Sequence, residues 1–176
     1  DAALFEMGSV FLPAPGAPIP EQPLHLGFAA IGAIPGPSWH ERPSRDALDA
    51  IGVVAMLAGA TGLPLEVVQS TEPGFHPGRC GSVILLGERI GVIGEVHPDV
   101  AASWGLTVRV AAGELSLAAL GVAPGRRVSV PSVFPPVVFD LAFDLDASTP
   151  VGRVLAAIWL AAGSQLEDAI VFDVFQ

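Results

Sequence analysis

The side chains best suited to chemistry gather in two short stretches, Phe75-His76-Pro77-Gly78-Arg79-Cys80 and Gly94-Glu95-Val96-His97-Pro98. Imidazole and thiolate ligands suit zinc, so His76, Cys80 and His97 could hold a metal; equally, Cys80 and a histidine could form a nucleophile–base pair oriented by Asp99. Against both readings, these stretches hold only three soft ligands, no C-x-x-C pair occurs, and a fourth ligand from them would have to be Glu95 or Asp99. The His-Pro dipeptides also work as shape elements, with proline fixing a turn and histidine bonding a backbone carbonyl. That reading is preferred. His76, Pro77, Gly78, Arg79, Glu95, His97 and Pro98 are taken as a structural motif, with no catalytic residue and no metal ligand assigned.

Arg79 stands beside a Pro-Gly turn, and Glu95 lies in an otherwise apolar run. A buried bidentate pair between them is the preferred expectation, although the same guanidinium could grip a phosphate or a partner's carboxylate. Other chemistry finds little support. Lysine is absent, which excludes a Walker phosphate loop, and neither G-x-G-x-x-G nor G-x-S-x-G occurs. Asp140, Asp144 and Asp146 stand at alternating positions of one run; a metal-binding row is conceivable, a solvated strand face preferred. Trp39, Trp104 and Trp159 are scattered and read as core or interface anchors.

The composition narrows the partners. Net charge is −10 and all eight basic residues are arginine. Such a surface repels a polyanion, so DNA is not expected as a partner and any RNA contact must be local. The lone Cys80 has no partner for an internal disulfide, which fits a cytoplasmic setting. Apolar residues make up 51% of the chain, enough for a core, and no long uncharged apolar run suggests a membrane span. The start, Asp1-Ala2-Ala3-Leu4, lacks the features of a secretory signal and is not a Met, so an internal start is expected.

These residues must be positioned by strands and three helices. Strands are expected over 4–11, 24–34, 65–69, 82–86, 90–96 and 108–115, with a proline-rich connector over 12–23 and a hairpin turn at 87–89. A helix is expected over 45–60, capped by Ser44 and ended by Gly59 and Gly62, and a short one from Pro98 through Trp104. Residues 70–79 read as a loop. The Pro- and Gly-containing stretch 123–131 is the expected boundary, followed by a strand over 137–145, a helix over 150–162 capped by Thr149, and a strand over 169–175. This is an α+β pattern built on an antiparallel sheet.

Several stretches together resemble the bacterial phenylalanyl-tRNA synthetase β subunit. Leu4-Phe5-Glu6-Met7-Gly8-Ser9-Val10-Phe11 is similar to its LFE-x-G-x-x-F segment. His76 to Cys80, followed by Ile90 to Pro98, is similar to its HPGR and IG-x-x-GE-x-HP hairpin, and Glu114-Leu115 to the strand that follows. Ser132 to Ala142 resembles the opening of its C-terminal anticodon-binding domain, and Val171-Phe172-Asp173-Val174-Phe175 that domain's x-FDVY strand.

The resemblance implies a class II synthetase-like antiparallel sheet with helices over residues 1–125, lacking an active site and buttressing a catalytic α subunit. Residues 126–176 would then be the first part of a ferredoxin-fold anticodon-binding domain, a truncated ferredoxin-like β-α-β. Asp173 and Phe175 would face the anticodon of tRNA(Phe), with Phe175 standing where tyrosine is usual and Phe139 where arginine or glutamine is commoner. The whole enzyme would be a cytoplasmic α2β2 heterotetramer using ATP and Mg²⁺, with no cofactor held by this chain. Without a third strand, residues 137–145 would carry an unpaired edge, so 130–176 are expected to be poorly ordered alone or paired with another chain. Two other functions fit the residues: a free-standing module binding a protein through exposed apolar strands, and a small hydrolase or zinc enzyme built on His76, Cys80, His97 and Asp99.

Overall fold

In the computed structural model, residues 1–33, 44–120 and 132–173 are described. The chain divides into two compact units, Asp1–Arg127 and Val128–Gln176.

The first unit contains β1 (Ala2–Ser9), β2 (Leu24–Ile31), α1 (Ala47–Thr61), β3 (Leu65–Gln69), β4 (Phe75–Leu85), β5 (Glu88–Val96), α2 (Pro98–Ser103), β6 (Val110–Ser116) and α3 (Leu117–Leu120). The strands form one sheet in the order β1-β2-β6-β5-β4-β3, and every neighbouring pair is antiparallel. Because side chains alternate across a strand, the registers Leu26↔Leu115, Gly91↔Leu115 and Ile93↔Gly113 place Leu26, Ile93 and Leu115 on one face. Helix α1 covers that face, adding Ala50 and Val54 to a core that includes Val83, Leu85 and Ala111. Gly113 is required there: a Cβ on it would stand 2.6 Å from both the Phe28 ring and Ile93.

Local chemistry explains where elements start and stop. α1 begins after Asp46, two residues later than expected from Ser44. Asp46 accepts the Leu48 N–H at 2.8 Å, and Asp49 accepts the Asp46 N–H at 2.8 Å, a reciprocal capping box. Ser44 instead bridges to Ala33. Gly62 closes the helix in the left-handed conformation (φ 72°), donating to the Ala58 carbonyl at 2.8 Å. The hairpin turn also falls earlier than expected. Leu86 and Gly87 both have positive φ, 51° and 88°, the combination that matches the twist of a tight hairpin. β4 starts at Phe75, inside the stretch read as a loop. Phe75 pairs with Val96, and a bulge before Cys80 absorbs the intervening residues. α3 was not anticipated.

The second unit holds α4 (Val151–Ala162), followed by a 3-10 turn at Gly163–Gln165. Among its described residues no strand forms, which corrects the expectation of strands over 137–145 and 169–175. The physical reason is a missing ladder. Val137, Val138, Phe139 and Leu141 are exposed, and no described segment pairs with them. The helix also begins without its expected cap. Pro150 is the N-cap residue and makes no side-chain capping bond, while the Thr149 N–H donates to the Asp146 carbonyl in the preceding turn.

Candidate functional site

β4 and β5 bring the two His-Pro stretches side by side, through the Phe75↔Val96 and Cys80↔Gly94 pairings. The histidines do not bond carbonyls, as expected, but accept from the backbone. His76 Nδ1 takes the Gly78 N–H at 3.1 Å, and His97 Nδ1 takes the Asp99 N–H at 3.2 Å. His97 thereby caps α2, whose first residue is Pro98. The His97 backbone N–H donates to the Gly74 carbonyl at 2.8 Å, tying the end of β5 to the turn before β4. Cys80 is buried, its Sγ 3.8 Å from Ser70 Oγ, and Asp99 Oδ2 lies 3.7 Å from His97 Nδ1. Among the described residues, no group of three or more His, Cys, Asp or Glu side chains is placed to hold a metal.

Arg79 and Glu95 do meet. Arg79 Nη1 donates to Glu95 Oε1 at 2.7 Å, through one nitrogen and one oxygen rather than the bidentate fork expected. A second arginine joins them. Arg109 Nε approaches the same oxygen at 3.8 Å. Glu95 is buried at 3% exposure, on the face of β5 shared with Ile93, in register with Ala111. Its other oxygen, Oε2, has no hydrogen-bond partner among the described residues. Arg109 was missed because its place beside Glu95 depends on the β5–β6 register, which no local motif announces.

The opposite sheet face presents a second group. Glu6, Gly27 and Glu114 lie in register across β1, β2 and β6, so two carboxylates flank a residue without a side chain. His25 Nδ1 and Glu114 Oε1 are 2.6 Å apart. A shallow depression runs over this row, lined by Leu4, Glu6, His25, Gly27, Ala29 and Glu114 among others.

The remaining expected site residues lie elsewhere. Asp173 is exposed in the second unit. Phe175 and Trp39 lie outside the described residues, as does the expected boundary over 123–131. Asp140, Asp144 and Asp146 are exposed on a segment that is not a strand. Asp146 accepts both the hydroxyl and the backbone N–H of Ser148; these bonds, the hydroxyl's first, hold its carboxyl below the ordinary value of 3.8 against a small opposing effect of burial.

A six-stranded antiparallel sheet covered on one face by a helix defines the first unit as an α+β sheet domain. The chain belongs to the family described as the phenylalanyl tRNA synthetase beta chain CLM domain, which matches residues 1–117. Curated relatives extend the likeness along the chain. The phenylalanine–tRNA ligase beta subunit of Symbiobacterium thermophilum is 35% identical over 181 residues, covering 100% of this chain and 20% of that protein. That of Streptomyces avermitilis is 36% identical over 209 residues, covering 100% of this chain and 25% of that protein. The chain thus spans about a fifth to a quarter of the length of these relatives. A pyrrolysyl-tRNA synthetase from Desulfitobacterium hafniense superposes with a TM-score of 0.46 at 13% identity, over 67% of this chain and 39% of that one. The family resemblance read from the motifs therefore stands.

Proposed function

We propose that this chain is a supporting part of a phenylalanine–tRNA ligase β subunit, buttressing a catalytic α subunit in an α2β2 assembly that charges tRNA(Phe). The observation that carries the reading is the family match across the sheet domain, residues 1–117. ATP and Mg²⁺ serve the whole enzyme on the α subunit, and the chain alone is inactive and cytoplasmic. Residues 126–176 contribute the first part of a ferredoxin-like anticodon-binding domain, its strands pairing when the third strand is supplied. Asp173 and Phe175 then meet the anticodon, where an aromatic ring can stack on a base.

The edge strand β1 supports the partner role. Leu4, Phe5 and Met7 are 71%, 74% and 61% exposed on a strand with one side unpaired among the described residues, a surface that water disfavours and a protein would cover. The same surface also suits a free-standing interaction module, and one experiment separates the readings. A β chain containing this segment is coexpressed with a synthetase α subunit, and the purified complex is assayed for charging of tRNA(Phe). Copurification with activity only in the complex is expected; a chain that captures no α subunit yet binds an unrelated protein tightly would leave the interaction module as the function. No helix among the described residues is long and apolar enough to cross a membrane.

A further inference from the structure

Glu95 is an expensive residue where it sits. It is buried, both nearby arginines address its Oε1, and its Oε2 has no hydrogen-bond partner among the described residues. A buried carboxylate satisfied on one side only recovers little of its lost hydration, so stability alone does not account for it. What it does accomplish is orientation. Arg79, at the bulge within β4, and Arg109, just before β6, both approach one carboxylate oxygen, while their side chains remain 41% and 50% exposed. Each guanidinium carries five N–H donors. Arg79 directs one to Glu95 at 2.7 Å, Arg109 stands at ion-pair distance, 3.8 Å, without a hydrogen bond, and among the described residues neither meets a second acceptor. Two cations on one anion leave a surplus positive charge here, in a chain whose net charge is −10.

We propose that Arg79 and Arg109, pinned by Glu95, form a binding site for a single carboxylate presented by a partner protein. Guanidinium forks match a carboxylate's two oxygens, and the hydrogen bond that fixes Arg79, with Arg109 held near by charge, lowers the ordering cost of binding. A polyanion is disfavoured because a chain of net charge −10 repels it over many contacts, whereas one carboxylate meets the two arginines alone. The site is independent of the subunit assignment, and either can fail without the other.

Acetate is the probe. The 176-residue chain, labelled with ¹⁵N-arginine, is titrated with sodium acetate against sodium chloride at constant ionic strength while the Arg Nε–H resonances are followed. Arg79 and Arg109 are expected to shift saturably and several-fold more than Arg153 on α4; Arg109→Gln should weaken the Arg79 response several-fold, and Arg153→Gln should leave it unchanged. Because Arg79→Gln alone strands Glu95, the Arg79→Met/Glu95→Met double variant removes the pair with apolar replacements, and its spectrum reports folding directly. Equal shifts at all arginines, acetate binding that survives in the folded double variant, or a response to a short RNA oligonucleotide but none to acetate would each overturn the proposal.

Discussion

In β5 and β6, Ile93 and Leu115 are removed from solvent, while Val137, Val138 and Phe139 in the second unit stand open to it. Both stretches are rich in β-branched and aromatic or aliphatic residues, and both read as strands on composition. The difference lies in what surrounds them. β5 has β4 and β6 on its two sides and α1 above it, so its backbone groups are paired and its apolar side chains buried. The 137–145 stretch has no described ladder neighbour. Strand-forming residues therefore make a strand only where another strand satisfies the backbone; propensity is a permission, and pairing is the cause.

Truncating one side chain in each region should expose this contrast most strongly. Leu115 is fully buried, and Leu115→Ala should destabilise the first unit by roughly 2–5 kcal/mol through lost burial and a residual cavity. Val138→Ala should change stability by less than about 0.5 kcal/mol, the usual result for an exposed position. Urea unfolding followed by tryptophan fluorescence and by amide exchange would measure both. A large loss from Val138→Ala would mean that the second stretch packs on something after all. The proposed ferredoxin-like pairing would reverse the contrast: in a full-length β chain, amides over 137–145 should become protected.

A smaller effect tests how α1 is set on the sheet. Removing the reciprocal cap with Asp46→Ala should cost about 0.5–2 kcal/mol, because the Leu48 N–H loses its acceptor and Asp49 keeps only half of the box. Ser44→Ala should be close to neutral by comparison. If Ser44→Ala costs more than Asp46→Ala in thermal unfolding, the helix starts where the sequence pattern first placed it.

How much was legible follows from the range of each cause. β3 was read at its observed bounds, 65–69, because Pro64 before it and polar Ser70 after it are local signals. The start of α1 was missed by two residues because Ser44 and Asp46 are both good caps, and only the Asp49 reciprocity decides between them. Arg79 with Glu95 was foreseen, since both flank the hairpin, but Arg109 and the His25–Glu114 contact were not. The latter joins residues 89 apart in sequence, brought together by the β2–β6 register. Residues 137–145 depart from the expectation for the complementary reason: strand-forming composition alone does not make a strand, and no described segment pairs with them.

The hairpin tip gives a prediction of opposite sign. Leu86 is the one non-glycine residue with positive φ among the described residues, and it is 82% exposed. The left-handed conformation costs a leucine roughly 1–2 kcal/mol because its Cβ crowds the following carbonyl, and an exposed side chain there gains little from packing. Leu86→Asn, which tolerates that conformation and suits the first position of such a turn before Gly87, should raise stability by about 1 kcal/mol. A fall in the urea midpoint would show that the Leu86 side chain has a contact worth more than the strain.

The smallest effect belongs to the turn before α4. Ser148 stabilises the charged form of Asp146, so the folded carboxyl titrates below 3.8. A depressed folded pKa contributes stability that is present above the unfolded value and lost as pH falls through the folded one. The turn should therefore hold at neutral pH and loosen in acid below the ordinary carboxylate range. Ser148→Ala removes the hydroxyl donor, the larger cause, and should move the Asp146 midpoint upward while leaving the first unit's unfolding unchanged. NMR titration of the Asp146 side-chain carboxyl carbon reads both. A midpoint unmoved by Ser148→Ala would show that the hydroxyl does not bond the carboxylate in solution, and that this turn, like the strand-forming residues just before it, depends on contacts from outside its own segment.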